Sequence, residues 1–265
     1  MKKISFIKMV ASGNDFVVID AWRLKGVNLA KLAKSICDRK FGVGADGMLV
    51  VDKSKPAGVK MRIFNADGSE AEMCGNGARC TILYAGRKKA KLFTMAGTLD
   101  SELAGDNVRI KLTDPKELKE DMPVKVNVRL MRINFINTGV PHAVIFVEGL
   151  DKVDVKNLGS QIRNHKAFAP RGTNVNFVEV VSGDYLKIRT YERGVEDETL
   201  ACGTGSVAAS LITSLKCGCA ANSCIRVETR SREVLKVYFD RKGKVFSNVW
   251  LEGKARIVHK GEYYV

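Results

Sequence analysis

The sequence predicts an α+β protein of two pseudo-symmetric domains, each a mostly antiparallel sheet wrapped around a central buried helix. Three observations carry that prediction. A cysteine followed by glycines and then an apolar run occurs twice, as Cys74-Gly75-Asn76-Gly77 leading to Ile82-Leu83-Tyr84-Ala85, and as Cys202-Gly203-Thr204-Gly205 leading to Leu215. The two turns lie about half the chain length apart. Each is preceded, at nearly the same interval, by a strand carrying an arginine (Arg62, Arg189) and then an acidic loop. The remaining segments are short alternating runs separated by turn residues, a pattern of strands joined by hairpins.

In chain order, alternation gives strands at 3–9 and 16–20 around the loop Ala11-Ser12-Gly13-Asn14-Asp15. Leucine and isoleucine at 29, 32 and 36, with Ala33, have helical spacing. Gly42-Val43-Gly44-Ala45-Asp46-Gly47 matches a dinucleotide-binding glycine pattern by its letters, but a helix precedes it and a strand, 48–52, follows. A dinucleotide site needs the reverse order, so that reading is rejected. A strand at 60–65 turns through Ala66-Asp67-Gly68-Ser69 into the first cysteine loop, whose helix stops at Gly86, a residue suited to a left-handed C-terminal cap. Strands follow at 91–95, 98–103 and 107–112.

The polar stretch from Asp114-Pro115 to Pro123 is the best linker candidate between the halves. Beyond it come strands at 124–137 and 143–148, joined by Thr138-Gly139-Val140-Pro141-His142, then a helix at 154–164 and strands at 175–181 and 185–191. The helix from Gly203 carries no charge on any face up to Leu215, which predicts burial on all sides. Strands at 224–229, 234–239 and 246–258 and a short tail complete the chain.

Composition bounds the partners. The chain carries 44 Lys and Arg against 29 Asp and Glu, a net charge of +15, yet the basic residues are scattered apart from Arg87-Lys88-Lys89-Ala90-Lys91. No nucleic-acid-binding signature accompanies them, so they read as a solvated surface. Lys8 and the polar residues after it interrupt the N-terminal apolar run before it reaches signal-peptide length, and no segment is long enough to span a bilayer. A soluble, cytoplasmic protein with no membrane partner is expected. Seven cysteines without secreted-scaffold spacing suit reduced thiols. Cys217-Gly218-Cys219 with Cys224 has metal-like spacing, but no fourth ligand lies near, so these read as ordinary thiols and no metal is expected.

A helix N-terminus favours a thiolate over a thiol. A cysteine there can serve as nucleophile, redox or metal ligand, or acid and base. The nucleophile needs a histidine base, and the chain has three histidines in all. The duplication favours acid–base work: one thiolate removes a proton from carbon and a thiol on the opposite face returns one, inverting the centre without a cofactor. Two such halves would face each other with both helix N-termini at a cleft, where the glycine N–H groups bind a carboxylate and stabilise the developing charge.

These residues resemble the diaminopimelate epimerase family. The resemblance rests on Gly13-Asn14-Asp15-Phe16, the Gly42–Gly47 loop, the run from Arg62 to Glu70, Met73-Cys74-Gly75-Asn76-Gly77-Ala78-Arg79, Val140-Pro141-His142, Gly172 to Phe177, Glu192-Arg193-Gly194-Val195-Glu196 and Ala201 to Gly205. They run through the whole chain in order. Asn76 separates the chain from proline and hydroxyproline racemases, which carry histidine there.

The resemblance implies conversion of LL-2,6-diaminopimelate to the meso form without a cofactor, in lysine and cell-wall precursor synthesis. By it, Cys74 and Cys202 are the acid/base pair, and His142 and Glu192 tune their pKa values. Gly75, Asn76, Gly203 and Thr204 hold the reacting carboxylate. Asn14, Asn65, Asn174, Glu192 and Arg193 bind the substrate, with Arg193 on the distal carboxylate. It also implies two barrel-like domains, 1–118 with 253–265 and 119–252, and a homodimer. Three positions depart from the family pattern: Val140 stands where an Asn is common, Gly47 where some members carry Gln, and His259 where a tyrosine supports the dimer. A racemase of another amino acid and, more remotely, a basic nucleic-acid-binding protein are the alternatives.

Overall fold

A computed structural model of the chain describes residues 3–54, 56, 58–218 and 222–265. The chain divides into two compact units, Met1–Ile110 with Glu252–Val265, and Lys111–Leu251. The first unit opens with β1 (Lys3–Ala11) and β2 (Asn14–Asp20), an antiparallel pair closed by Ser12 and Gly13, both at positive φ. Helix α1 (Leu29–Cys37) then carries the chain to β3 (Gly47–Asp52), parallel to β2. Next come β4 (Gly58–Asn65), the two-residue β5 (Glu70–Ala71), helix α2 (Gly75–Ala85), and β6 (Lys89–Thr94), parallel to β4. β7 (Gly97–Ala104) and β8 (Asn107–Lys111) follow as a meander.

The second unit repeats this order. β9 (Lys116–Val126) pairs with β10 (Arg129–Asn137), which pairs with β11 (Pro141–Phe146). Helix α3 (Val155–Arg163) leads to β12 (Asn174–Ser182), parallel to β11, and then come β13 (Tyr185–Glu192) and the short β14 (Asp197–Thr199). Helix α4 (Gly203–Lys216) leads to β15 (Asn222–Glu228), parallel to β13, with β16 (Val234–Lys242) and β17 (Val245–Lys254) after it. The last strand, β18 (Arg256–Tyr264), returns to the first unit and lies antiparallel on β1, where β9 lies on β10 in the second.

Three segments differ from the sequence reading, the first being the strand expected at 124–137, which is the end of β9 and all of β10 with a turn at 127–128 between them. The candidate linker at 114–123 is mostly strand β9. It reads as polar because most of its side chains face solvent, and Glu117 and Asp121, both at positive φ, lie opposite the register shifts that let it follow β10. The single strand expected at 246–258 is two, β17 and β18, broken at buried Ala255, whose N–H bonds Asp106 O.

Each unit places one helix on either side of its sheet, and strand alternation assigns the side chains. In β11 and β12, Ala143, Ile145, Val175 and Phe177 join the core that holds Val155 and Ile162 of α3. Val144 and Val178 belong to the core around Val207, Ala208, Leu211 and Ile212 of α4. In the first unit Val17, Ile19, Met48 and Val50 pack with Leu32, Ala33 and Ile36 of α1. A Cβ on Gly77 of α2 would instead touch Leu49 and Ile63. The helix side chains from Gly205 to Ser214 are all buried, as an uncharged helix requires.

The repeat extends to its ion pairs. Arg62 grips Glu70 through Nε and Nη2 at 2.7 and 2.8 Å, and Arg189 grips Glu198 in the same way at 2.7 and 2.8 Å. Each pair fastens the short strand that delivers the chain to a cysteine.

Gly159 of α3 shows how tightly the outer helix packs, since a Cβ there would lie 2.5 Å from Tyr191 Cβ. Alanine would gain about 1 kcal/mol of helix propensity, but the overlap with a β-strand side chain costs about 1–3 kcal/mol. Gly159→Ala is therefore expected to lower the thermal unfolding midpoint, and a raised midpoint would show that the overlap is easily relieved.

Candidate active site

The two outer helices and the two inner helices begin differently. Asn28 caps α1 by accepting from Lys31 N at 3.0 Å, and Asp154 caps α3 by accepting from Asn157 N at 3.1 Å. Cys74 and Cys202 are the N-cap residues of α2 and α4, and neither side chain makes a capping hydrogen bond. Their backbone carbonyls do start the helices, accepting from Ala78 N at 2.8 Å and Ser206 N at 2.9 Å. The first-turn N–H groups of the inner helices are thus not capped by the side chain that precedes them, as those of the outer helices are. Cys202 is buried and Cys74 half-buried.

In the first unit the period of two sets the candidates on the α2 side of the sheet. Asn14 begins β2, Gly47 begins β3 and Asn65 ends β4, each in phase with the residues that face α2. Asn76, at the second helical position, donates from Nδ2 to Asn14 Oδ1 at 2.7 Å, so these two candidates meet directly. Asn65 is held in its own turn, donating to Ser69 Oγ at 2.9 Å. At Gly47 a Cβ would come 2.8 Å from Phe64 O. A glutamine could stand there only if this strand pair shifted.

Beneath these residues lies a charged network that sequence reasoning did not single out. Asp15 takes Arg39 Nη2 at 2.8 Å and Lys8 Nζ at 2.7 Å. Burial pushes the Asp15 carboxyl upward, but the bonds from Arg39 and Lys8 outweigh it and hold it far below the ordinary range. The same network draws in Asp46 and the fully buried Arg79.

In the second unit His142, Asn174, Asn176, Thr190 and Glu192 occupy alternate positions of β11, β12 and β13, on the side facing α4. Asn174 accepts from Arg193 N at 2.8 Å and donates to Pro141 O at 3.2 Å, and the Arg193 guanidinium donates to Arg171 O at 3.2 Å. Burial raises the Glu192 carboxyl above the ordinary range. Thr204 Oγ1 lies 3.5 Å from Cys202 Sγ, and its carbonyl accepts from Thr138 Oγ1 at 3.1 Å.

Asn176, unassigned by the sequence reading, organises His142. Its Nδ2 bonds Ala143 O at 2.9 Å, and a carbonyl can only accept, so the amide presents N–H groups on that side. The same Nδ2 lies 3.1 Å from His142 Nδ1, which must then accept, leaving the imidazole proton on Nε2. Thr190 Oγ1 donates to the other end of the amide at 3.0 Å. Burial, with a contribution from the Arg193 charge, pushes His142 down to about 3. His142 is accordingly a neutral N–H donor at physiological pH, and its Nε2 is buried without a partner among the described residues. The spacing Asn174-Val175-Asn176 was the available signal, because alternate strand positions share a face.

The described residues contain no group of three or more His, Cys, Asp or Glu arranged to hold a metal, and no helix among them is long and apolar enough to cross a membrane. Cys217 and Cys224 are exposed, and Cys219, the middle member of that trio, lies outside the described residues.

A family profile described as diaminopimelate epimerase matches residues 6–127 and 134–258. The chain belongs to the diaminopimelate epimerase family. The family's enzyme from Aquifex aeolicus is 42% identical over 275 residues, covering 97% of each chain, and that from Chlorobaculum tepidum is 40% identical, covering 96% of this chain and 98% of that one. The Archaeoglobus fulgidus enzyme is 44% identical over 234 residues, 80% of this chain and 82% of that one. Among solved structures, a PhzF-family phenazine biosynthesis protein from Bacillus anthracis superposes with a TM-score of 0.78 at 18% identity, covering 100% of both chains. A hydroxyproline epimerase from Agrobacterium vitis, with bound trans-4-hydroxy-L-proline, gives 0.67 at 14% identity over 98% of this chain and 92% of that one. At such identities these structures speak for the fold, the α+β architecture expected from the sequence.

Two predictions follow from the site geometry. Among the described residues, and apart from its chain neighbours and its own helix backbone, nothing lies within 4 Å of a Cβ built on Gly75, whereas one on Gly205 would sit 2.3 Å from Asn176 Oδ1. Gly205→Ala is expected to lower stability, and Gly75→Ala to leave the unfolding midpoint unchanged or higher while weakening substrate binding; an unchanged KM in Gly75→Ala would remove that glycine from the binding surface. Because the native His142 pKa lies below the unfolded value of 6.5, the histidine favours folding above pH 6.5, and that contribution declines as pH falls towards 3. Urea unfolding at stepped pH should show wild-type stability falling more steeply between those limits than that of His142→Gln, by at most about 1.4 kcal/mol per pH unit. Parallel slopes would mean that the native histidine takes up the proton.

Proposed function

We propose that the chain interconverts LL-2,6-diaminopimelate and meso-diaminopimelate by a two-base mechanism in lysine and peptidoglycan precursor synthesis. One cysteine thiolate takes the α-proton, the electron pair passes into an enolate-like carbanion, and the thiol of the other cysteine protonates the opposite face. The second thiol is left as the thiolate, so the reverse reaction starts from the product without any external acid, base or redox partner. No cofactor enters the scheme.

The observation that carries this reading is the contrast in helix capping. Both inner helices begin at a cysteine whose side chain leaves the first-turn N–H groups uncapped, while both outer helices are capped by Asn or Asp. Gly75, Asn76, Gly203 and Thr204 then supply N–H groups to the reacting carboxylate and to the charge that grows on it, where fixed dipoles act without reorganising. Asn14, Asn65, Asn174 and Glu192 bind the rest of the substrate, and Arg193 takes the distal carboxylate through its planar fork. His142, neutral and an N–H donor, adjusts the thiol pair by hydrogen bonding and not by carrying charge; Glu192 is its carboxyl counterpart in that adjustment.

The reading includes a cytoplasmic homodimer. Seven cysteines without the spacing of a secreted scaffold suit a reducing compartment. Strand β18 exposes Ile257, Val258 and Tyr264, apolar area available to a second copy. His259, which stands at the position linked to the dimer, packs edge-on against Phe6 with ring centres 5.9 Å apart.

The decisive experiment is α-proton exchange in deuterated water with LL-diaminopimelate, proline, hydroxyproline and histidine. Exchange and epimerisation of diaminopimelate alone are expected; exchange of another amino acid without diaminopimelate would transfer the reading to a different racemase. Replacing either Cys74 or Cys202 by serine should reduce epimerisation at least about 100-fold, the usual minimum for loss of a general acid or base. Wild-type turnover in either variant would end the two-base mechanism.

A further inference from the structure

What an asparagine offers a ligand depends on which way round its amide sits, and in the first unit two side chains settle this for Asn76 and Asn14. Arg79 lies three residues beyond Asn76, on the same face of α2, and is fully buried. Its Nη2 donates to Asn76 Oδ1 at 2.6 Å and to Ser12 Oγ at 2.9 Å. A guanidinium has donors only, so Asn76 must turn its carbonyl towards Arg79 and its NH2 away. That NH2 donates to Asn14 Oδ1 at 2.7 Å, and Asn14 Nδ2 donates in turn to Asp46 Oδ2 at 2.9 Å. An ionised carboxylate only accepts. The run therefore starts at an obligate donor, ends at an obligate acceptor, and passes through two amides that cannot turn over without bringing like groups together.

The acceptor end is itself anchored. Asp46 Oδ1 takes Arg39 Nη2 at 2.7 Å, Asp46 N donates to Asp15 Oδ1 at 2.9 Å, and Asp15 N donates back to Asp46 Oδ2 at 3.1 Å. Lys8 holds Asp15 from the other side and also bonds the Gly44 carbonyl. Each of the two amides keeps one N–H outside these bonds. An anionic substrate group meets N–H donors if the amides stay as they are, and a carbonyl oxygen if either turns over.

We propose that Arg79 and Asp46 are positioning residues, which fix the amide orientation of Asn76 and Asn14 so that both present N–H groups to a substrate carboxylate. The proposal rests on the reading of Asn14 and Asn76 as substrate contacts. Neither Arg79 nor Asp46 needs to touch the substrate. They act through the asparagines, and losing one end of a charge-assisted run weakens the preference of both amides for the orientation that presents N–H groups.

The test uses Asp46→Asn, Arg79→Lys and Arg79→Met, with kcat, KM for LL-diaminopimelate and the unfolding midpoint measured for each. Asp46→Asn keeps the shape but removes the obligate acceptor, and is expected to raise KM at least about tenfold with a smaller fall in kcat, the scale of one charged hydrogen bond. Arg79→Lys, which keeps the charge but not the fork, should fall between wild type and Arg79→Met. The side-chain amide NMR signals of Asn14 and Asn76 should lose their separate, slowly exchanging hydrogen-bonded resonances in Asp46→Asn. A folded Asp46→Asn enzyme with KM within twofold of wild type, or with only a lowered midpoint, overturns the proposal. If Arg79→Met does not fold, Asp46→Asn alone decides. Failure of the wild type to exchange diaminopimelate would overturn the functional reading instead, and the amide signals would then decide the positioning claim, unchanged signals overturning it.

Discussion

A helix enclosed on all sides still has a first turn of N–H groups that its own backbone cannot satisfy. Both inner helices of this protein are in that position, and both begin at cysteine, whose sulfur is a poor substitute for an Asn or Asp cap. The sheets around them end in polar side chains on the helix-facing side. Asn14 and Asn65 in one unit and His142, Asn174 and Glu192 in the other are of this kind, each at a strand end and each on the helix-facing side. The apolar residues of the same faces, such as Leu49 and Ile63 or Val144 and Val178, take over as the strands run along the helix.

Much of this was legible in the sequence, because it follows from periodicity. The uncharged run after Cys202 announced a buried helix, and the repeated arginine, acidic loop and cysteine announced the duplication. What the sequence concealed is where a local pattern meets a partner far along the chain. The polar run at 114–123 has the composition of a linker, and only its pairing with Arg129–Asn137 makes it a strand. Asn176 looks like any strand asparagine until Ala143 O and Thr190 Oγ1 fix its orientation, and with it the tautomer of His142. Asp46 was set aside with a glycine pattern rejected for good topological reasons, yet it anchors Asn14 from 32 positions away.

The two units use the same architecture with different chemistry beneath the thiol. Under α2 lies a charged network of Lys8, Asp15, Arg39, Asp46 and Arg79, whereas under α4 lie Asn176, His142 and Thr190 with the single carboxyl of Glu192. Under the two-base mechanism we propose, in which the thiols exchange roles between forward and reverse reactions, such an inequality matters. Identical surroundings would leave nothing to decide which sulfur rests charged, while unequal surroundings bias it in a fixed direction.

Strand β18 has a consequence for how the chain comes into being. The first unit is assembled from both ends of the described sequence, with β18 lying along β1 only after the whole second unit has been synthesised. The second unit is one continuous run of the sequence, Lys111–Leu251. The unit begun first is thus finished last, and throughout that interval β1 carries an open strand edge, the kind of surface on which unwanted pairing starts.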